Sequence, residues 1–201
     1  MGRSLHQQFF DQQAHIWKAM DRRDQIRRLV ELFSRALPSP GKRVLDVGCG
    51  TGILLDVFCQ MDQAPEIVVE LDISREMLCA GRSRGPLPNT LVWSVQADTH
   101  RLPFPEAYFS GIICFSAFPH FSNQRAVLEE FYRVLGPEGL VMILHLDHHR
   151  EINRMHASIG GVVRGDRLPP VTEVGQWLMN IGFMVLRARE QRGLYLIVAL
   201  K

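Results

Sequence analysis

The chain of 201 residues is predicted to be an α/β protein, with a mostly parallel sheet covered by helices on both faces. Three observations predict this. Strand-like apolar runs alternate with helical patterns from Arg43 onward. A run of glycines joins the first of those strands to its helix. The last two strands are separated only by Glu190–Gly193, too short for a crossover helix, so they must pair as an antiparallel hairpin.

The elements follow in order within one domain spanning residues 1–201. Residues 1–40 read as a helical cover. Ser4 and Gln7 can form a capping box, and Leu5, Phe9, Phe10, Ala14 and Trp17 recur near helical spacing. A second helix from about Asp21 places Ile26, Leu29, Val30 and Phe33 on one stripe, and Pro38 and Pro40 end it. Seven strands are predicted, at Arg43–Val47, Glu66–Leu71, Thr90–Val95, Gly111–Phe115, Leu140–Leu146, Phe183–Arg189 and Leu194–Leu200. Helices fall between them. One follows Thr51 and one starts at Ser74. One runs from Ser122 or Asn123 to Leu135 with Gly136-Pro137 as its stop, and one is capped by Thr172 and stopped by Gly182.

Composition narrows the function. The chain is 46% hydrophobic and 22% charged with a net charge of +2, as a soluble globular domain is. The densest basic cluster, Arg22-Arg23 with Arg27-Arg28, is broken by Asp21 and Asp24, so no nucleic-acid partner is expected. Cys49, Cys59, Cys79 and Cys114 lack CxxC spacing and sit in apolar surroundings. Neither disulfides nor a zinc centre is expected, and a reducing, cytoplasmic setting fits. No signal peptide or membrane span is predicted.

The most informative stretch is Val44-Leu45-Asp46-Val47-Gly48-Cys49-Gly50-Thr51-Gly52. A carboxylate ends a buried strand, and glycines at alternate positions let the backbone turn tightly and approach a ligand closely. The spacing differs from the G-x-G-x-x-G of dinucleotide binders. It resembles motif I of class I S-adenosylmethionine (SAM)-dependent methyltransferases. Further segments carry the likeness: Leu71-Asp72-Ile73-Ser74 with Met77-Leu78, then Ala97-Asp98 with Leu102-Pro103-Phe104, and finally Arg133-Val134-Leu135 with Pro137 and Gly139. Departures are His100, Ser110, Gly136 and Glu138. The likeness covers about residues 42–146 and points to the small-molecule branch that includes ubiquinone/menaquinone-type enzymes. It implies a Rossmann-like seven-stranded sheet ending in an antiparallel hairpin, SAM as cofactor, and a small-molecule methyl acceptor. Asp46 would address the ammonium end of SAM, and Gly48, Cys49, Gly50 and Gly52 would lie against its methionine and ribose. Asp72 would accept from the ribose hydroxyls, with Glu70 as the rival carboxylate. Ile73 and Met77 come with that motif, Ile73 against one face of the adenine. Asp98, next to Ala97, would accept from the adenine amino group, and Phe115 ends the strand beside the transferred methyl.

The acceptor side is less defined. His120 follows the fourth strand and reads as a catalytic base, a polar contact or a structural histidine. Residues 145–170 are long for a connector. If Arg150–Ile159 is a helix, His149, Asn153 and His156 share one stripe. That stripe reads as a solvated face, as an acceptor-pocket wall together with His145, or as part of a metal site with His145 and Asp147. Phe10 and Trp17 of the cover are further acceptor candidates, the alternative being plain packing on the sheet. Two rivals keep the fold: a macromolecular acceptor and a non-catalytic SAM-binding regulatory module. The sequence leaves the acceptor and the oligomeric state unspecified.

Overall fold

The computed structural model describes residues 4–82 and 87–201. Strands β1 (Arg43–Val47), β2 (Ile67–Asp72), β3 (Leu91–Gln96), β4 (Phe109–Phe115), β5 (Leu135–His145), β6 (Met184–Gln191) and β7 (Leu194–Leu200) form one sheet in the order β3-β2-β1-β4-β5-β7-β6. Pairs among β1–β5 are parallel, while β7 runs antiparallel to both β5 and β6. The direction of the chain about the sheet reverses between β1 and β4, which creates a crevice at their carboxyl ends.

Helices α1 (Leu5–Ala19), α2 (Arg23–Arg35), α3 (Ile53–Phe58), α4 (Arg75–Gly81), α5 (Gln124–Val134), α6 (His149–Ile159) and α7 (Val171–Ile181) cover the sheet. Successive strand residues feed opposite cores. Leu45, Ile112, Ile143 and Ile197 pack with Phe131 of α5 and Leu178 of α7. Val44, Ile113, Met142 and Val198 pack with Leu29 and Phe33 of α2 and Phe58 of α3.

The element boundaries differ from expectation where local chemistry decides. β5 starts at Leu135, immediately after α5, and takes in Gly136-Pro137. A register shift between Phe109 and Gly111 accommodates these residues, so that pair belongs to a strand and does not stop the helix. α7 begins at Val171 on Pro170, which supplies a helix-compatible φ, and Thr172 makes no cap. α6 begins one residue earlier than expected, because His148 Nδ1 accepts from Arg150 N while Glu151 accepts from His148 N. α2 ends at Arg35, ahead of both prolines. Ser4 caps α1 by accepting from Gln7 N. Leu5 is exposed, outside the apolar face it was placed on. Cys59 and Cys79 are also exposed, while Cys49 and Cys114 are buried and their thiols pushed up by burial, leaving them unreactive. Ser110, which departs from the family pattern, bridges strands: its Oγ accepts from Arg43 N at 2.9 Å and donates to Arg43 O at 3.0 Å.

Candidate functional site

The glycine loop lies at the carboxyl end of β1. Gly48, Gly50 and Gly52 all have left-handed φ, at +67°, +57° and +78°. A Cβ on Gly48 would stand 2.4 Å from Cβ of Ala117 in the loop after β4, so a side chain there is excluded by space as well as conformation. Asp46 and Asp72 close the ends of β1 and β2 and are buried. Asp72 is fixed by the loop itself: Oδ2 accepts from Gly50 N at 2.9 Å and Oδ1 from Ser74 N at 2.8 Å. Burial raises its pKa to about 6, against the opposing pull of those backbone donors. Glu70 faces β3, where it accepts from Ser94 Oγ. Cys49 lies inside the loop, and Met77 is a buried residue of α4.

Asp98 follows β3 and is more exposed. Its carboxylate accepts from His100 N at 2.9 Å and pairs with His100 Nδ1 at 2.7 Å. These bonds outweigh desolvation and lower its pKa. The next segment is pinned to α5: Arg133 donates to Leu102 O and Phe104 O, and Glu130 accepts from Leu102 N. This gives the Arg133 motif and the Leu102-Pro103-Phe104 motif a common purpose, which is to hold the loop carrying Ala97 and Asp98.

Helix α1 roofs the crevice. A Cβ on Gly50 would stand 3.6 Å from the Trp17 indole. Asp11 accepts from Ser74 Oγ at 2.6 Å. The Phe10 ring lies 6.2 Å from Trp17 and 5.0 Å from His120, edge-on to both. His120 ends the 3-10 turn Phe118–His120 after β4. The cluster centres on Asp166, which sequence reasoning did not single out. His120 Nδ1 lies 2.6 Å from Asp166 Oδ2 and His6 Nε2 lies 2.9 Å from Asp166 Oδ1. His156 Nδ1 donates to Asp166 O at 3.0 Å, and the rings of His156 and His120 are 4.9 Å apart. Bonds from His120 and His6 hold the Asp166 carboxyl low despite desolvation. The loop is stapled in place. Asn153 exchanges two bonds with the backbone of Leu168, and Gln124 donates to both Phe118 O and Arg167 O. His145, at the end of β5, is buried against Tyr195. Desolvation first, then His120 and His156, lower its pKa to about 3, so it is neutral.

His149 points elsewhere. Its Nδ1 lies 2.7 Å from Glu190 of β6, beside His148. His148, His149 and Glu190 could bring ligand atoms together for a metal. However, His148 Nδ1 already accepts from Arg150 N, so in a neutral ring Nε2 carries the proton and has no lone pair to give. The group is better described as a polar tie between α6 and β6. A cleft of about 370 Å³ lined by Lys42, Glu66, Tyr108 and Pro137 lies at the amino ends of β1, β2 and β4, the end of the sheet where ligands do not bind. A second of about 380 Å³, lined by Phe121, Asn123, Asp166, Arg167 and Trp177, opens beside the Asp166 loop.

Comparison with known proteins agrees with this geometry. A family described as Methyltransferase domain matches residues 45–143, which run from β1 to β5 and include the loop, Asp72 and Asp98. The chain belongs to the class I SAM-dependent methyltransferase family. This chain is 34% identical over 129 residues to a ubiquinone/menaquinone biosynthesis C-methyltransferase of Bordetella parapertussis, covering 64% of this chain and 46% of that one. It is 30% identical over 150 residues to the demethylmenaquinone methyltransferase of Thermus thermophilus, covering 70% and 66%. The chain thus spans about half the length of the first curated relatives it matches. The fold is shared with the methyltransferase solved in complex with the Trm112 activator of Haloferax volcanii, with a TM-score of 0.79, 18% identity and 96% of each chain covered.

The family's cofactor is SAM, and the residues present fit it. Three left-handed glycines leave bare backbone at the crevice, and two buried carboxylates, Asp46 and Asp72, end adjacent strands. Carboxylates suit an ammonium and a diol. Among the described residues no helix is long and apolar enough to cross a membrane. His6 and Asp166 were missed because their meaning is tertiary. The one available signal was an isolated acid between Gly160-Gly161 and Pro169-Pro170, inside a segment already marked as too long.

Proposed function

We propose that the chain transfers the methyl group of SAM to a small-molecule acceptor bound between α1 and the 145–170 segment. The observation that carries this reading is the roof. A single helix touches the glycine loop through Trp17, α4 through Asp11, and Asp166 through His6. A crevice so covered suits a compact acceptor better than a polymer, and the net charge of +2 gives no electrostatic track for nucleic acid. The naming of curated relatives as C-methyltransferases of quinone biosynthesis supports an acceptor of small-molecule class. Buried, unreactive Cys49 and Cys114 suit a reducing, cytoplasmic setting.

In this reading Asp46 holds the ammonium, Asp72 the ribose hydroxyls and Asp98 the adenine amino group, while the glycine backbone lies along the ligand. The cofactor supplies an electrophilic methyl on a positive sulfur. The chain contributes alignment of the acceptor for in-line displacement and exclusion of water by Phe10 and Trp17. Calorimetry should show S-adenosylhomocysteine binding and NAD silent. Incubation of a cell extract with methyl-labelled SAM should place the label in the low-molecular-weight fraction. Label confined to RNA or protein would reassign the acceptor, and absence of S-adenosylhomocysteine binding would end the reading.

A further inference from the structure

We propose that His120 is the general base of this methyl transfer and Asp166 its positioning residue, so that the acceptor is a small acid whose attacking atom carries an ionisable proton. The proposal rests on the reading above and adds to it the chemistry of the acceptor.

The geometry is that of an oriented imidazole. His120 Nδ1 meets Asp166 Oδ2 at 2.6 Å, and a carboxylate only accepts, so the Nδ1 proton points at Asp166 and the lone pair sits on Nε2. The ring cannot swing freely. His120 N donates to Ala117 O at 3.0 Å, and Ala117 is the residue packed against Gly48. The imidazole is thus held three residues from a fixed point on the cofactor loop. Phe10 bridges the remaining distance, lying between Trp17 on Gly50 and the His120 ring.

Asp166 is built to stay where it is. Gln124, Asn153 and His156 hold the main chain around it, and its side chain is 9% exposed. A structural ion pair needs one partner. Here the carboxylate of a residue on a stapled loop gathers imidazoles from α1 and from the loop after β4, while its main-chain carbonyl takes a third from α6. The titratable groups around His120 are Asp166, His6 of α1, His156 of α6 and His145 of β5. Burial favours the neutral form of both His145 and His156, so neither contributes a fixed positive charge beside the base.

The step balances as follows. The acceptor atom forms a bond to the methyl carbon as the carbon–sulfur bond breaks, and that electron pair returns to sulfur. The acceptor's proton passes to His120 Nε2, Asp166 stabilises the resulting imidazolium, and the proton leaves to solvent. Acceptors without such a proton, tertiary amines and thioethers, gain nothing from the arrangement.

The test uses the full chain and its His120→Ala, Asp166→Asn and Asp166→Glu variants, each checked for S-adenosylhomocysteine binding. First, nitrogen-15 spectra of labelled histidine should show His120 protonated on Nδ1 in the parent and shifted toward Nε2 in Asp166→Asn. Second, labelled SAM is offered with two panels: phenols and 1,3-diketones, which carry an ionisable proton, and tertiary amines and thioethers, which do not. Transfer is expected to the first panel only. It should fall roughly 10²–10⁴-fold in His120→Ala. Asp166→Asn should lower kcat with little change in KM, and Asp166→Glu should recover part of the loss. Transfer to the second panel alone, or undiminished transfer by His120→Ala, overturns the proposal while leaving the methyltransferase reading intact. An Nε2-protonated His120 in the parent overturns it even where neither panel is methylated. A parent that binds no S-adenosylhomocysteine removes the reading and the proposal together.

Discussion

Asp72 is a carboxylate that the fold makes hard to ionise. Its pKa is raised from 3.8 to about 6 by burial, and hydroxyl donors from a ribose would favour the charged form. Ligand binding should therefore pull a proton off. Between pH 7 and pH 5, calorimetry should show S-adenosylhomocysteine affinity constant above about pH 6 and weakening by up to tenfold per unit below it. Asp72→Asn should bind weakly at every pH and lose that dependence. His145 carries the opposite sign for stability. Its folded pKa of about 3 lies below the unfolded value of 6.5, so below pH 6.5 the unfolded chain takes up a proton that the folded chain refuses. The folded state loses stability as pH falls through that window, by on the order of 5 kcal/mol at its lower end. His145 Nε2 is buried with no hydrogen-bond partner. His145→Leu should therefore lower the acid-unfolding midpoint without loss of stability at pH 7, as read by circular dichroism. At this scale the strand-end carboxylates and the glycine turn were readable because Asp46, Asp72 and the glycines belong to a strand end and its own turn. Asp166 was not, since its partners lie 46 and 160 residues away along the chain.

Among the elements, α1 and α6 were foreseen as helices, but their functional faces were not fully legible. The stripe His149, Asn153 and His156 divides in the fold: His149 ties to β6, Asn153 clamps Leu168, and only His156 reaches Asp166. Helical spacing fixes which residues share a side, not how far a neighbouring loop wraps around it. Asn153→Ala removes both bonds to a backbone that then has few alternatives. It should cost about 1–3 kcal/mol in urea unfolding and loosen the Asp166 loop, detectable as faster amide exchange at Leu168. The strands were legible nearly to the residue in β1 and β7, where apolar runs end at sharp polar boundaries. β5 was not, because a glycine-proline pair that normally ends elements is absorbed by the β4–β5 irregularity. Trp17→Ala removes an aromatic roof without touching the loop, and should speed dissociation of S-adenosylhomocysteine in stopped-flow measurements more than it slows association.

On the scale of the molecule, the sheet order brings the glycine loop, Asp46 and Asp72 together at the carboxyl ends of adjacent strands, and a defect there should be felt as a defect of the whole. Gly48→Ala must either displace Ala117 or abandon its left-handed backbone. It should destabilise the chain by about 1–3 kcal/mol and abolish S-adenosylhomocysteine binding, both readable in one thermal-shift series. In the parent, S-adenosylhomocysteine at a hundred times its Kd should add about 2.7 kcal/mol to stability. Trp17 and His6 lie on the same helix, one against the cofactor loop and the other bonded to the loop that holds Asp166. On the proposed reading this gives α1 the position of a single door: the nucleoside would have to be seated before the helix closes over the acceptor, and the products would leave only as it opens. Such an arrangement predicts an order of arrival and departure, cofactor first in and its spent form last out, which product-inhibition kinetics would check. It also predicts that turnover slows as solvent viscosity is raised.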